Sequence, residues 1–238
     1  MVYEWAHRLG GWLLPPTCLL CNGPGHKGLD LCRQCRGSLG ENRPACRRCA
    51  EPLPTGTPPR SLCGHCTRRE PPWDHLVAPW RYEEPLSGLI QRLKFSRELP
   101  AGRTLGLLLA AALPPPDPRP ELLLPVPLHA GDLRRRGFNH AAEITRSLSR
   151  ALEIPWSSRH LFKARPTATQ HGLGRKARRR NLRDAFRFEP GENLEHVAVI
   201  DDVVTTGSTA AEIARTLKRA GVSRVSIWAL ARTAERHS

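Results

Sequence analysis

The residues with the clearest chemical potential lie between Val197 and Thr209. Four apolar residues, Val197 to Ile200, predict a buried parallel strand that ends at two adjacent carboxylates, Asp201 and Asp202. A short turn rich in hydroxyl groups follows, and the stretch from Ala210 to Ala220 has the pattern of an amphipathic helix. Backbone N–H groups at a helix N-terminus bind anions, and hydroxyl side chains add donors. The arrangement therefore predicts a site for a sugar phosphate.

The carboxylates and the turn are expected to bind different parts of such a ligand. Asp201 and Asp202 would repel a phosphate, so we expect them to hold ribose hydroxyls, directly or through a divalent cation. We expect the turn to bind the phosphate. It consists of Thr205, Thr206, Gly207, Ser208 and Thr209. Gly207 allows the backbone to approach the ligand closely. The alternative is an ordinary strand followed by a threonine-rich turn, and the strand–turn–helix context favours the binding site.

Four C-x2-C pairs account for all eight cysteines of the chain: Cys18 and Cys21, Cys32 and Cys35, Cys46 and Cys49, and Cys63 and Cys66. Two such turns can point four thiolates at one ion, so the spacing predicts two structural Zn2+ sites in a double zinc ribbon. One zinc ion, or an interleaved pairing of the turns, remains an alternative. Disulfides or redox dithiols are a further alternative, and disulfides need an oxidising compartment.

Charge and length limit the function further. The chain has 238 residues and a net charge of +15, from 37 Lys and Arg against 22 Asp and Glu. This balance favours polyanions, either nucleic acid or phosphorylated small molecules, although an arginine-rich solvated surface explains it equally well. The sequence has no apolar stretch long enough to span a membrane and no signal-peptide pattern at its start, which predicts a cytoplasmic protein. Nothing in the sequence indicates the oligomeric state.

A proline-rich segment near residues 67–76 predicts a boundary between two domains. We expect an amphipathic helix over residues 1–16, the double zinc ribbon over 17–67, and an α/β domain over 76–238. The pattern of the last region alternates strands with helices, which implies a mostly parallel sheet. Its further predicted strands are Leu76–Tyr82, Glu121–Leu128 and Val225–Leu230, and its further predicted helices are Leu86–Phe95, Leu105–Leu113 and Ala141–Leu152. Pro79 cannot donate a backbone hydrogen bond, so we expect the first of these strands at an edge of the sheet.

Two basic segments add candidate anion contacts. Arg134, Arg135 and Arg136 follow the strand that ends near Leu128, where ligands of open α/β sheets bind, although a solvated run of charge is the alternative. A glycine-containing basic stretch over residues 167–181 includes Arg178 and has the pattern of a flap that closes over a phosphorylated ligand. Taken alone, that stretch is equally consistent with a nucleic-acid patch.

Together these motifs resemble the ComF family, whose members are phosphoribosyltransferase-like proteins associated with natural competence and DNA utilisation. The resemblance covers nearly the whole chain. It rests on the double zinc ribbon, the loop after Asp202, and four sequence segments: Leu89–Phe95, Pro125–Leu128, Arg136–Asn139 and Gln170–Asn181. The family usually has Gln after Asn139, whereas this chain has His140, which can change a contact at the site.

The resemblance implies a type I phosphoribosyltransferase-like fold that binds 5-phosphoribosyl 1-pyrophosphate (PRPP) together with Mg2+. Its implied catalytic residues are Asp201, Asp202 and Arg178. The implied PRPP contacts are Val126, Pro127, Arg136, the two aspartates and the loop Thr205, Thr206, Gly207, Ser208 and Thr209. The acceptor is not indicated. Phe138 or Trp228 could stack on it, although core packing is the preferred interpretation for both.

Two classes of function follow from these observations. The first is an enzyme that transfers the phosphoribosyl group of PRPP to an unknown acceptor. The second is a non-catalytic PRPP sensor or an adaptor that binds single-stranded DNA, with a DNA-uptake helicase as a further partner. The intact acidic pair and loop favour PRPP binding, but they are equally compatible with a sensor.

Overall fold

The fold is built around one parallel sheet. The computed structural model describes residues 16–115, 118–166, 182–189 and 193–234. Its strands are β1 (His75–Val77), β2 (Trp80–Arg81), β3 (Leu122–Pro125), β4 (Leu161–Lys163), β5 (Phe186–Phe188), β6 (His196–Val204) and β7 (Arg224–Arg232). The main sheet has the order β1–β7–β6–β3, with β2 also paired to β7, and each of these pairs is parallel. Strands β4 and β5 form a separate antiparallel pair.

Helices connect these strands and cover the sheet. They are α1 (Arg33–Gly37), α2 (Gly64–Arg68), α3 (Leu86–Ser96), α4 (Leu99–Ala112), α5 (Ala130–Arg136), α6 (His140–Leu152) and α7 (Ser208–Arg219). The alternation of strands and helices confirms the predicted α/β class, with a mostly parallel sheet flanked by helices and preceded by a cysteine-rich region.

Each zinc ribbon packs on a different face of the sheet. Residues of the first ribbon, among them Cys18 and Leu31, belong to the apolar cluster that α3, α4 and α6 form with one face. Residues of the second ribbon, among them Cys46 and Cys66, belong to the cluster that α7 and the β4–β5 pair form with the other face. A parallel sheet must be covered on both faces, and the ribbons contribute to both covers. The division into residues 17–67 and 76–238 stays a prediction.

The strand and helix predictions were right in kind and differ in their limits. Strand β6 continues through the two carboxylates to Val204, so the expectation that the carboxylates end the strand was wrong. Helix α4 begins at Leu99 rather than at Leu105. The edge strand is confirmed and is interrupted at Ala78 and Pro79, where β1 gives way to β2. The sequence patterns did not predict α5 or the β4–β5 pair, because these elements are only three to seven residues long.

Two predicted segments lie outside the described residues. The first is the amphipathic helix over residues 1–16, of which only residue 16 is described. The second is the basic flap over residues 167–181, which includes Arg178. Among the helices of the described part, none has the length and apolar character that crossing a membrane requires.

Helices α4 and α6 approach closely at Gly106, and this contact generates a stability prediction. A Cβ atom at Gly106 would lie 2.5 Å from the carbonyl oxygen of Ile144 and 2.8 Å from the Cβ of Ser147. We expect Gly106→Ala to lower the free energy of unfolding by about 1–3 kcal/mol, because overpacking forces the two helices apart. Chemical denaturation measures the change.

The matched control is Gly37→Ala at the end of α1, where a Cβ atom meets nothing within 4 Å. Equal stabilities for the two alanine variants would contradict the close helix contact.

Candidate functional site

The centre of the candidate site is the carboxylate of Asp202, which is only 3% exposed. Lys94, in the last turn of α3, forms an ion pair with Oδ2 of Asp202. His140, the first residue of α6, places its Nε2 atom 3.4 Å from Oδ1. A buried carboxylate is stable only when it is paired, and here the partners come from two helices. Asp202 therefore fixes the ends of α3 and α6 against the carboxyl edge of the sheet.

The two neighbouring aspartates have opposite electrostatic behaviour. Burial alone would raise the pKa of Asp202, but the charge of Lys94 and the hydrogen bond from His140 hold that pKa well below its usual value. Burial, together with the charge of Asp202, raises the pKa of Asp201 well above its usual value. Burial would lower the pKa of Lys94, and the charge of Asp202 more than reverses this. The pair therefore favours one negative charge, balanced by Lys94.

Arg136 is connected to Asp202 through His140. An arginine only donates hydrogen bonds, so the 2.9 Å contact from Nη1 of Arg136 makes Nδ1 of His140 an acceptor. The proton of His140 consequently lies on Nε2, which faces Asp202. Position 140, where the family usually has Gln, thus links the predicted arginine to the predicted carboxylate.

Two positions of the segment Arg136–Asn139, the second and the last, have a structural explanation. Gly137 ends α5 with a left-handed backbone, at a φ of 83°. Asn139 caps α6 by accepting a hydrogen bond from Ala141 N, while its Nδ2 donates to the carbonyl oxygen of Val126 at 3.0 Å. Val126 N donates in turn to Ile200 O on β6. These bonds hold the loop after β3 beside the acidic pair.

The predicted phosphate loop lies at the start of α7. Gly207 has a φ of 71°, in the left-handed region that favours glycine, and as the residue before α7 it has no side chain to cap the helix. The hydroxyls of Thr206 and Ser208 lie 2.8 Å apart. Thr205 is exposed, whereas Ser208 is buried. Ser208 N also donates to the hydroxyl oxygen of Thr206 at 3.4 Å. The loop thus combines hydroxyl groups with the N-terminus of a helix, which is the arrangement that binds anions.

The cysteines form two groups of four in sequential order: Cys18, Cys21, Cys32 and Cys35, and Cys46, Cys49, Cys63 and Cys66. Tetrahedral Zn2+ with bonds of about 2.3 Å places its sulfur ligands about 3.8 Å apart. The Cys21–Cys32 and Cys49–Cys63 sulfur distances are 3.8 and 3.6 Å. A hydrogen bond from the Cys49 thiol also lowers the pKa of Cys46 to about 4, which favours the thiolate that binds metal. Each group fits one structural zinc ion, and the interleaved pairing was wrong.

A third group of potential ligands consists of His140, Asp201 and Asp202, whose ligand atoms lie within 4.8 Å of one another. Both ring nitrogens of His140 already contact Arg136 and Asp202, so the two carboxylates are the available ligands. Carboxylate oxygens are the ligands that Mg2+ prefers, and Mg2+ commonly uses only one or two of them together with substrate oxygens. The two carboxylates are therefore chemically compatible with a divalent cation.

The structure brings together most of the residues that the sequence singled out. Asp201, Asp202, Arg136 and the loop that begins at Val126 and Pro127 lie at one edge of the sheet. The loop Thr205–Thr209 continues directly from β6. Arg178 lies outside the described residues. The three arginines occupy the last turn of α5 rather than an irregular connection.

Two residues of α3 outside the predicted site residues also lie at this edge of the sheet. Lys94 neutralises Asp202. Phe95, the next residue, is 72% exposed, and the guanidinium of Arg136 lies 5.7 Å from its ring centre. Phe95 lies off the apolar stripe of α3, and that irregularity is the sequence signal that could have identified it. Trp228 is buried, which confirms core packing for this residue.

Comparison with known proteins shows similarity along nearly the whole chain. A family model described as a double zinc ribbon domain matches residues 9–67. DNA utilization protein YhgH of Escherichia coli (strain K12) is 39% identical over an alignment 238 positions long, gaps included, and the match covers 92% of this chain and 98% of the relative. Competence protein F of Haemophilus influenzae is 42% identical over 178 residues, which cover 71% of this chain and 78% of the relative.

The Lys94–Asp202 pair generates a prediction about stability. Lys94→Met should lower the free energy of unfolding at neutral pH by about 2 kcal/mol, because it leaves the buried Asp202 carboxylate with only His140; partial exposure of Lys94 keeps the loss small. Urea denaturation measures this loss.

The matched control is the double variant Lys94→Met with Asp202→Asn. If the two groups are coupled, the double variant loses less stability than the sum of the two single variants. Strictly additive losses would show that the ion pair does not exist in solution.

Proposed function

The chain belongs to the ComF family, and we propose that it binds PRPP with Mg2+ at the carboxyl edge of its sheet and transfers the phosphoribosyl group to an acceptor. The relatives are named for DNA utilisation and competence, which supports a role for this chain in those processes. One observation carries the proposal: the acidic pair, the N-terminus of α7 and Arg136 meet at the carboxyl edge of a parallel sheet, which is where such folds bind ligands.

The loop Thr205–Thr209 would bind the 5′-phosphate. Its backbone N–H groups and hydroxyls supply donors, and the positive end of the α7 dipole favours a doubly charged group. The left-handed backbone of Gly207 is what allows the chain to fold around the phosphate, because a β-branched residue would be strained at a φ of 71°. The site is therefore complementary to a phosphate monoester in both charge and shape.

Asp201 and Asp202 would hold the ribose hydroxyls, which are good donors to carboxylates. When bound, Mg2+ held by these carboxylates would neutralise charge on the pyrophosphate. The negative charge of the acidic pair would also favour the positive charge that develops on the ribose ring as the leaving group departs. The ion pair with Lys94 stabilises the buried carboxylate of Asp202.

The pyrophosphate would lie between the loop after β3 and Arg136. The hydrogen bonds of Asn139 and Val126 hold that loop at the sheet edge, and the bond to His140 holds Arg136 there. During transfer the bond between ribose C1 and the pyrophosphate oxygen breaks, and a bond from C1 to the acceptor nucleophile forms. The acceptor loses a proton, and the electron pair leaves with pyrophosphate. Arg136, with Arg178 from the basic segment, would stabilise that departing charge.

A second candidate function is a PRPP sensor or an adaptor that binds single-stranded DNA without turnover. The exposed ring of Phe95 favours contact with nucleobases, because it lies next to Lys94 and under Arg136 at the same edge. An exposed aromatic ring beside a cation is the element that unpaired bases stack on in single-strand binding proteins. The same ring would serve an acceptor base in the enzyme.

The first test of the proposal uses the double variant Asp201→Asn with Asp202→Asn. We expect it to abolish Mg2+-dependent PRPP binding in isothermal titration calorimetry, because the amides neither bind the cation nor accept strong hydrogen bonds from the ribose. Circular dichroism checks that the fold is intact.

The outcomes separate the two candidate functions. Wild-type binding followed by pyrophosphate release on addition of an acceptor identifies an enzyme and its substrate. Binding without release for any acceptor, single-stranded DNA included, supports the sensor. An unchanged PRPP affinity in the double variant would reject the site assignment.

The second test concerns Phe95. Phe95→Ala should weaken the affinity for a short single-stranded oligonucleotide by about tenfold, because stacking on an aromatic ring contributes about 1–3 kcal/mol per base. PRPP affinity should not change. Fluorescence anisotropy with a labelled oligonucleotide measures the loss.

Two further substitutions show whether stacking is the cause. Phe95→Trp keeps the aromatic face and should retain binding, whereas Phe95→Leu keeps only apolar area and should lose it. If the leucine variant binds as well as wild type, the residue does not stack on bases.

A further inference from the structure

The second zinc ribbon is bonded to the backbone of the phosphate loop through Arg232. This residue ends β7 and is 2% exposed. Its Nη2 atom donates to Oε2 of Glu51, in the ribbon, at 2.6 Å. Its Nη1 atom donates to the carbonyl oxygen of Val204, the last residue of β6, at 3.2 Å, and to that of Thr205. One buried guanidinium thus bridges a ribbon carboxylate and the first peptides of the loop.

The direction of these carbonyl groups determines the direction of the loop N–H groups. A peptide bond is planar and trans, so its C=O and N–H point in opposite directions. The carbonyl oxygen of Val204 also accepts a hydrogen bond from Thr233 N at 3.1 Å, so the sheet and Arg232 fix it together, whereas Arg232 holds the carbonyl oxygen of Thr205. The N–H groups of Thr205 and Thr206 consequently point away from Arg232. Arg232 therefore helps to orient the donors that a phosphate requires, above all the N–H of Thr206.

The metal-binding turn of the ribbon determines where Glu51 lies. Cys46 N donates to Glu51 O and Ala50 N donates to Cys46 O, each at 2.8 Å, which closes the turn that contains Cys46 and Cys49. Ala50 has a left-handed backbone with a φ of 53° in that turn. Glu51 thus lies two residues after the zinc ligand Cys49, and the geometry of the metal site determines where its carboxylate lies.

Trp73 forms a second connection between the same ribbon and the loop. Its indole Nε1 donates to the carbonyl oxygen of Arg48 at 2.8 Å, between the ligands Cys46 and Cys49. Its ring lies against Gly207, where a Cβ atom would be 3.1 Å from the ring. A small cavity of about 40 Å³ also has Cys49, Cys63 and Thr206 among its lining residues, so the metal site and the loop are adjacent.

We propose that Glu51, Arg232 and Trp73 are positioning residues through which the second zinc ribbon fixes the phosphate loop, so that an intact ribbon sets the affinity for a phosphorylated ligand. The inference rests on the proposed function, which gives the loop its ligand. It adds to that function a role for the ribbon in the site itself. The first ribbon, on the opposite face of the sheet, has no such connection among the described contacts.

The central experiment compares two ribbon carboxylates in full-length, zinc-loaded protein. Glu51→Gln removes the charge that holds Arg232, whereas the control Asp30→Asn removes the charge that pairs with Arg103 in the first ribbon. We expect Glu51→Gln to weaken Mg2+–PRPP binding by about tenfold, the effect of one charged hydrogen bond. Asp30→Asn should leave that affinity within twofold. Calorimetry well below the melting temperature separates the affinity from stability, which both substitutions lower.

A ligand-independent signature accompanies this measurement. In protein labelled with 15N-glycine, the Gly207 amide resonance should move in Glu51→Gln and stay in place in Asp30→Asn. If Glu51→Gln does not fold, Trp73→Phe replaces it, because phenylalanine keeps a ring near Gly207 but loses the hydrogen bond to Arg48.

Zinc affinity provides a reciprocal measurement. Coupling between two binding sites acts in both directions on their affinities, so PRPP must raise the affinity of the second ribbon for zinc, which competition with a chromogenic chelator at equilibrium measures. The zinc affinity of the first ribbon should not change. Absence of wild-type PRPP binding would reject the proposed function, and the glycine resonance would still test the ribbon. An unmoved Gly207 resonance, together with equal PRPP affinities, would overturn the inference.

Discussion

The buried carboxylate of Asp202 is the constraint on which the rest of this structure depends. A single charge at the end of a central strand would cost several kcal/mol without partners. Lys94 and His140 supply them from α3 and α6. The same requirement explains why α6 begins where it does, since Asn139 caps the helix and also holds the loop after β3. The pairing of the Asp202 carboxylate with Lys94 and His140 thereby aligns two helices, one loop and one arginine at a single edge of the sheet.

The ribbons solve a second physical problem. A four-cysteine ribbon is too small to form a core of its own, so metal binding supplies its folding free energy. A parallel sheet, conversely, exposes two apolar faces that need cover. In this chain the first ribbon packs with α3, α4 and α6, and the second with α7 and the β4–β5 pair. Metal-stabilised segments therefore complete the cover of a sheet whose chain has few aromatic residues, only 5% of the sequence.

Local patterns predicted a large part of this arrangement, and long-range contacts explain what they missed. The apolar run before Asp201 and the C-x2-C spacing are local signals, and they located β6, α7 and the two zinc sites correctly. The end of β6 could not be predicted from the sequence, because Asp201 and Asp202 interrupt its apolar pattern while the backbone continues as a strand. The pairing of Glu51 with Arg232 joins positions 181 residues apart. No periodicity or motif connects such positions, since only the folded sheet brings them together.

The charge state of the acidic pair gives the binding site a further property. Burial and the charge of Asp202 raise the pKa of Asp201, and Lys94 balances Asp202, so this edge does not present two free carboxylates to a phosphorylated molecule. Under the proposed function, a divalent cation that binds with PRPP would compete with both the proton and Lys94 for the same oxygens. Lys94 and Phe95 are consecutive residues of α3, so a ligand that releases Lys94 from Asp202 acts directly beside the exposed ring. Under the proposed function, the side of the site that binds the phosphoribosyl group and the side that binds the acceptor would therefore be connected through two consecutive residues of α3.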